Sequence, residues 1–513
     1  MACYFRQNGD THLTIPKYIE SSTGVVYYDI KVRVHQVEWL VERRYRDFSQ
    51  LHEKLVDEIA ISKKLLPPKK LMGNKNPAFL EQRRDQLEKY LQELLIFFRI
   101  QLPRVLAEFL DFNKYDIIYL LQDLAKLFNE SGSALLSSKK EFNFSALEVF
   151  AISERLCLPC PPENIEQRGK FDFSHVLDFC TQLEVLIVTP VKDNTSFSND
   201  YNTVDVPIDR SNIIPKNLRF TLNAFRNVKT LKFHGLSTEN IVDIALLKPT
   251  MQTIFVHSTT LTHINQILLC DNIHRDILVA AAASTATIST PDNISYTSTS
   301  SAAAQSTSNS SRANTPPPCL SDILPFIKCN WSNLAYLDLT GNLLTQIDAS
   351  VRTAPQLQTL VLDQNRIRSI QNLAELSQLQ TLSLSVNLIA ECIDWHLELG
   401  NLVTLNLAQN RLKKLRGLRK LLSLVNLDLS CNLVEDLEEV DNVTRLPILE
   451  TLRLTGNPLA GSVDYRARVL SRFHERAPEI SLDNERGTQK ELDTALVLSA
   501  LHTSKLRQMN GQR

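Results

Sequence analysis

The sequence predicts an α+β multidomain protein. A three-stranded antiparallel sheet with helices comes first, then an α/β solenoid with a parallel concave sheet and a helical C-terminal cap. Three observations predict it. The spacing LxxLxLxxN recurs six times in the last third of the chain. Three segments among residues 11–50 are rich in the β-branched and aromatic residues that suit strands. Residues 281–318 are mostly small or hydroxylated and end in three prolines, so they cannot bury enough surface to offset their ordering entropy.

A chain of 513 residues has room for about three domains. Its net charge of −1 argues against nucleic acid as a partner. That average hides an asymmetry. Residues 31–84 carry 13 Lys+Arg against 7 Asp+Glu, an excess of +6 that leaves −7 for the remainder. A basic block in an otherwise acidic chain points to a local anionic target. The nine cysteines show no framework spacing, and Cys157-Leu-Pro-Cys160 lacks the second pair a zinc site needs, so neither metal nor cofactor is expected. No phosphate-loop, dinucleotide, nucleophile-elbow or HExxH motif is present, so no catalytic residue is assigned and an enzyme is not expected. The first residues lack the apolar core of a signal peptide. The longest apolar runs, such as Leu183–Val188, fall far short of the roughly 20 residues of a membrane span. A cytoplasmic protein with reduced thiols is expected.

The N-terminal strands are Leu13–Ile15, Val25–Val34 and Glu38–Glu42. The third runs into Arg43-Arg44-Tyr45-Arg46-Asp47-Phe48, followed by a helix at Ser49–Glu58. A loop, Leu65-Leu-Pro67-Pro68-Lys69-Lys70-Leu71-Met72-Gly73, leads to a second helix at Phe79–Phe98, with Arg83 and Arg84 on its first turns and Leu87, Leu91, Leu94 and Leu95 on an apolar face. This order of elements resembles a phox-homology (PX) domain, placing one domain at 1–115. The resemblance implies recognition of phosphoinositide headgroups, most often phosphatidylinositol 3-phosphate. By position in the motifs, Arg44 would hold the 3-phosphate and Tyr45 would stack under the inositol. Lys69 would contact the 1-phosphate, and Arg83 the 4- and 5-hydroxyls. The residue types agree, because a guanidinium fork suits phosphate and vicinal hydroxyls better than a point charge does. Leu71 and Met72 would then form a loop that dips into the bilayer.

Residues 116–210 read as a helical connector, with apolar residues at helical spacing in Ile117–Phe128 and Leu147–Leu156. Residues 211–280 hold two degenerate repeats. Val228-Lys-Thr-Leu231-Lys-Phe233 and Met251-Gln-Thr-Ile254-Phe-Val256 lie 23 residues apart and lack the Asn. The run 281–318 reads as a disordered linker interrupting the solenoid. Residues 319–460 carry the six regular copies, starting at Leu334, Leu357, Leu379, Leu402, Leu424 and Leu449, with the periods of leucine-rich repeats. No single copy buries its leucines alone, so the copies must stack. The intervening positions face out and give a polar, faintly acidic concave surface. Tyr336, Asp338, Val361, Ser383, Asn406, Asp428 and Arg453 are its candidate protein-binding residues. Residues 461–513 form a cap, Tyr465–Phe473, and a terminal helix near 488–507.

The whole order resembles PX-domain scaffolds that carry leucine-rich repeats. That resemblance implies a non-enzymatic adaptor on early or recycling endosomes, with the plasma membrane as a second location. It also implies negative regulation of Rac signalling and cell migration. The implied partners are phosphatidylinositol 3-phosphate membranes, Rac-family or related small GTPases, their effector kinases and the integrin cytoplasmic tail. A sorting-nexin-like trafficking factor and an enzyme with an unrecognised site in 116–210 stay open as alternatives.

Overall fold

The structure is a computed structural model that describes residues 11–21, 24–34, 37–69, 76–98, 102–138, 140–157, 173–190, 219–236, 240–270 and 330–510. Leu71, Met72, Cys160 and the linker 281–318 lie outside the described residues. The chain divides into two compact units: Met1–Ile241 with Val256–Thr259, and Val242–Phe255 with Thr260–Arg513.

The first unit opens with strands β1 (Thr11–Glu20), β2 (Val26–Val34) and β3 (Val37–Arg44), an antiparallel sheet in the order β1-β2-β3. β1 and β3 are longer than the sequence-predicted segments, and β2 matches its own to within one residue. β1 keeps going through Pro16 because its register shifts between Thr14 and Lys17. A proline has no N–H to give a ladder, and a bulge is where a sheet tolerates one. Helix α1 (Tyr45–Ile59) follows β3 directly, and helix α2 (Pro77–Phe97) packs beside β1. The carboxylate of Glu88 on α2 accepts the bulge N–H of Ile15 at 2.6 Å, and Arg84 donates to the Pro16 carbonyl at 3.1 Å. The core between sheet and helices holds Tyr28, Trp39, Phe48, Leu55, Leu87 and Leu91, all buried. Arg43 turns away from α1 to bind the Phe109 carbonyl and Asp111.

The reading of 116–210 as a helical connector is corrected in part. Helices are present at Ile117–Ser138, Ala146–Cys157 and Ser174–Gln182, but so are strands at Glu141–Ser145 and Val185–Thr189. The two strands pair in parallel, and the second also pairs in parallel with Thr230–His234. Phe144, Leu186, Val188, Leu231 and Phe233 fill the inner face of this run. Phe128 and Phe179 stack 3.8 Å apart between the covering helices. Phenylalanine, leucine and valine thus share the inward positions that leucine alone holds in the regular copies.

In the second unit the six regular repeats give three-residue strands, from Tyr336–Asp338 to Thr451–Arg453, each paired in parallel with the next. Thr253–Phe255, from the second degenerate repeat, pairs with Tyr336–Asp338. The motif leucines are buried. Each Asn from Asn365 to Asn457 joins its own repeat to the one before. Asn410 donates to the Leu384 and Leu407 carbonyls at 2.8 and 3.1 Å and accepts from the Ile389 N–H at 3.0 Å. The ladder closes backbone groups that no sheet partner reaches at the turn. The cap helix spans Tyr465–Ser471, and a strand unmarked in the sequence, Ser481–Leu482, adds one more parallel pairing to Thr451–Arg453. The terminal helix runs from Gln489 to Asn510.

Candidate functional site

Arg44, Tyr45 and Arg83 meet where β3 passes into α1 beside the first turns of α2. Arg44 ends β3 in an extended conformation and caps α1. Asp47, three residues on, takes its backbone N–H at 2.9 Å and its Nε at 3.1 Å. Both bonds run from Arg44 to the one carboxylate and fix the base of the Arg44 side chain, which is otherwise half-exposed. Its terminal nitrogens carry no hydrogen bond within the described residues.

Arg83 is set differently. It is 6% exposed, and its guanidinium carbon lies 4.3 Å from the ring centroids of both Tyr45 and Phe79. The two rings hold the planar fork in place, and the Tyr28 hydroxyl takes a hydrogen bond from it. Nε and Nη2 are buried and have no acceptor. The nearby Tyr28 and Tyr45 phenols are raised above their ordinary value by burial, with the Arg83 charge pulling each back down. The Tyr45 hydroxyl donates to the Pro67 carbonyl at 2.5 Å, joining the pocket to the double-proline loop. Lys69 is exposed on that loop. Leu71 and Met72 lie outside the described residues, as stated above.

Each arginine pair is therefore split between two tasks. Arg43 and Arg84 bind backbone carbonyls, while Arg83 lies against the Tyr45 ring and the Arg44 side chain bonds only Asp47 among the described residues. The sequence reading missed Phe79 and Asp47. Both carry a local signal: an aromatic four residues before an arginine on one helix, and a carboxylate three residues after a helix-capping one.

On the concave sheet the candidate residues do not share one state. Tyr336, Val361, Asn406 and Asp428 are half-buried, and Arg453 is exposed. Asp338 at 8% and Ser383 at 9% are buried, which corrects their placement as open contact residues. Ser383 donates to Asp363 at 2.7 Å and accepts from Asn406 at 3.0 Å, so it is covered by its neighbours' side chains. Arg453 pairs with Asp428 at 3.0 Å, leaving that end of the face nearly neutral. Among the described residues no group of three metal-ligating side chains occurs and no helix is long and apolar enough to cross a membrane.

The family model for the PX domain matches residues 32–113, and that for the leucine rich repeat matches residues 332–389. The chain carries a PX domain and leucine-rich repeats. Kinesin-like protein KIF16B of Mus musculus is 37% identical over 94 residues, covering 18% of this chain and 7% of that protein. The PX domain-containing protein kinase-like protein of Rattus norvegicus is 36% identical over 81 residues, covering 16% of this chain and 14% of that protein. The chain thus spans only a small part of these relatives. Among solved structures, a designed CISK-PX domain is 33% identical, covering 19% of this chain and 97% of its own, with a TM-score of 0.18. An internalin from Listeria monocytogenes is 15% identical, covering 54% of this chain and 82% of its own, with a TM-score of 0.29.

Proposed function

We propose that the pocket binds the headgroup of phosphatidylinositol 3-phosphate and brings a non-enzymatic scaffold to early or recycling endosomes. The observation that carries this is the buried Arg83 guanidinium, clamped by two rings with two donors open. Burying donors without acceptors costs about 1–3 kcal/mol each, a cost that a ligand bearing hydroxyls or phosphate oxygens removes. Arg44 supplies the phosphate fork, Tyr45 the platform and Lys69 a second charge. Hydrogen bonds to charged groups contribute about 1.5–3 kcal/mol. Arg44→Ala should therefore weaken binding to phosphatidylinositol 3-phosphate vesicles roughly 10- to 100-fold. A change under about threefold, with the circular dichroism spectrum intact, overturns the assignment.

The domain order resembles nischarin, an endosomal scaffold of this type. On that resemblance the repeats would hold Rac-family or related small GTPases, their effector kinases or the integrin tail, and would restrain Rac signalling and cell migration. The repeat face supports a protein rather than a nucleic-acid partner, because it has no basic stripe. Val361→Arg with Asn406→Arg places charge on two half-buried outward positions without touching the leucine core. The pair should abolish capture of a purified Rac-family GTPase or its kinase. Capture at the wild-type level would move the partner site off this face.

A further inference from the structure

We infer that the Tyr45 hydroxyl is a positioning group for Lys69, acting on headgroup selectivity through the loop rather than through the ring. This rests on the phosphoinositide reading above. The loop from Ser62 to Lys69 is pinned at two places. Near its start, the buried His52 imidazole faces the Lys63 carbonyl at 3.3 Å with Nε2 and the Tyr90 hydroxyl at 3.3 Å with Nδ1. Near its end, Tyr45 donates to the Pro67 carbonyl at 2.5 Å. Pro67 and Pro68 have no N–H, so that stretch cannot be held by its own donors, and its carbonyls are the remaining backbone handles. Fixing the Pro67 carbonyl fixes its ψ, and the ring of Pro68 fixes the next φ. Only ψ of Pro68 and φ of Lys69 stay soft between the tether and the lysine.

The same tyrosine ring lies against Arg83. One residue therefore sets the spacing between the buried guanidinium and the loop ammonium. A longer or looser gap would leave Lys69 charged but misplaced, and a flexible lysine contributes as a positioned point charge only where its backbone is held. The tether is thus tied to the phosphate that Lys69 meets, the one joining inositol to the lipid.

The test uses the full chain and two soluble headgroups, inositol 1,3-bisphosphate and inositol 3-phosphate, titrated calorimetrically. The wild type should prefer the bisphosphate by about tenfold, one charge-assisted contact. Tyr45→Phe keeps the ring, and the preference should collapse, with inositol 1,3-bisphosphate losing about tenfold more affinity than inositol 3-phosphate. Lys69→Ala should lose the same preference, and the double variant should be no worse than either single change, since both act through one contact. Full preference in Tyr45→Phe overturns the inference and leaves the phosphoinositide reading standing. So does an equal loss for both headgroups, the mark of a merely structural role. If the wild type binds neither headgroup nor phosphatidylinositol 3-phosphate vesicles, the underlying reading falls and the inference falls with it.

Discussion

Asn410 in the fourth regular repeat and Arg83 in α2 are each 6% exposed. Around Asn410 every side-chain contact is reciprocated: its amide donates to two leucine carbonyls and its oxygen takes the Ile389 N–H. Around Arg83 the packing is aromatic, and two of its donors have no acceptor. A polar group that is buried and satisfied holds the fold. One that is buried, clamped and left open is poised for something the chain does not contain.

The largest effect should come from the satisfied side. Asn410→Ala leaves the Ile389 N–H without its acceptor, at about 1–3 kcal/mol, and takes one of two asparagine donors from the Leu384 and Leu407 carbonyls, which keep Asn387 and Asn432. A loss of at least about 2 kcal/mol is expected in urea unfolding, with vesicle binding by the PX domain unchanged. A loss below about 1 kcal/mol would show that water or backbone relaxation replaces the Asn ladder.

Arg83→Met probes the open side. Exchanging a buried charge for an apolar chain of similar length is often neutral or stabilising. Stability should hold or rise while affinity for phosphatidylinositol 3-phosphate vesicles falls roughly 10- to 100-fold. If instead the variant unfolds as easily as Asn410→Ala and still binds vesicles, Arg83 belongs with the scaffold and the comparison fails.

Both sides were legible in the sequence to different depths. The six copies announce themselves because leucine spacing and the terminal Asn each answer a fixed geometric need. Arg44, Tyr45 and Arg83 were legible because they follow recognisable elements in order. The strands Glu141–Ser145 and Val185–Thr189 were not, since Phe144, Leu186 and Val188 fill inward positions without either marker. Asp338 and Ser383 were misjudged for a different reason: period-two alternation tells which face a residue points to, but not whether neighbouring side chains then cover it. Phe79 was missed although its spacing from Arg83 is visible, because an aromatic at a helix start reads first as core.

A smaller effect separates exposed pairing from buried pairing. Glu184 accepts from Lys140 at 2.6 Å and Lys229 at 2.8 Å, joining the starts of three strands in the first unit. Hydrogen bonds from the two lysines lower its carboxyl from an ordinary 4.5 to about 2. A depressed folded-state value means the contribution is present above the unfolded carboxyl's range and is lost as pH falls from about 4.5 towards 2. Glu184→Gln should flatten the stability curve over that interval, and the two proteins should converge at its acid end. Parallel curves would show that the pairing is too solvated to matter.

The smallest effect is a gain, and it tests whether the solenoid's order carries a local cost. The eighth motif position is left-handed in all six regular repeats: Gly341, Gln364, Val386, Gln409, Cys431 and Gly456 have φ between +54° and +75°. Glycine answers this twice. Elsewhere the turn is held by its bonds, such as the Val386 N–H to the Ala408 carbonyl at 2.9 Å. A left-handed conformation costs an ordinary L-residue roughly 1–2 kcal/mol, and a β-branched side chain is the least suited to it. Val386 is 39% exposed, so trimming it sacrifices little packing. Asparagine tolerates this region while keeping the unfolded chain less free than glycine would. Val386→Asn should therefore stabilise the protein by about 0.5–1 kcal/mol, read as a higher urea midpoint with an unchanged slope. Gln364→Asn, which starts without β-branching, should gain less. Equal gains at the two positions would mean that the left-handed backbone, and not the valine's branching, carries the cost.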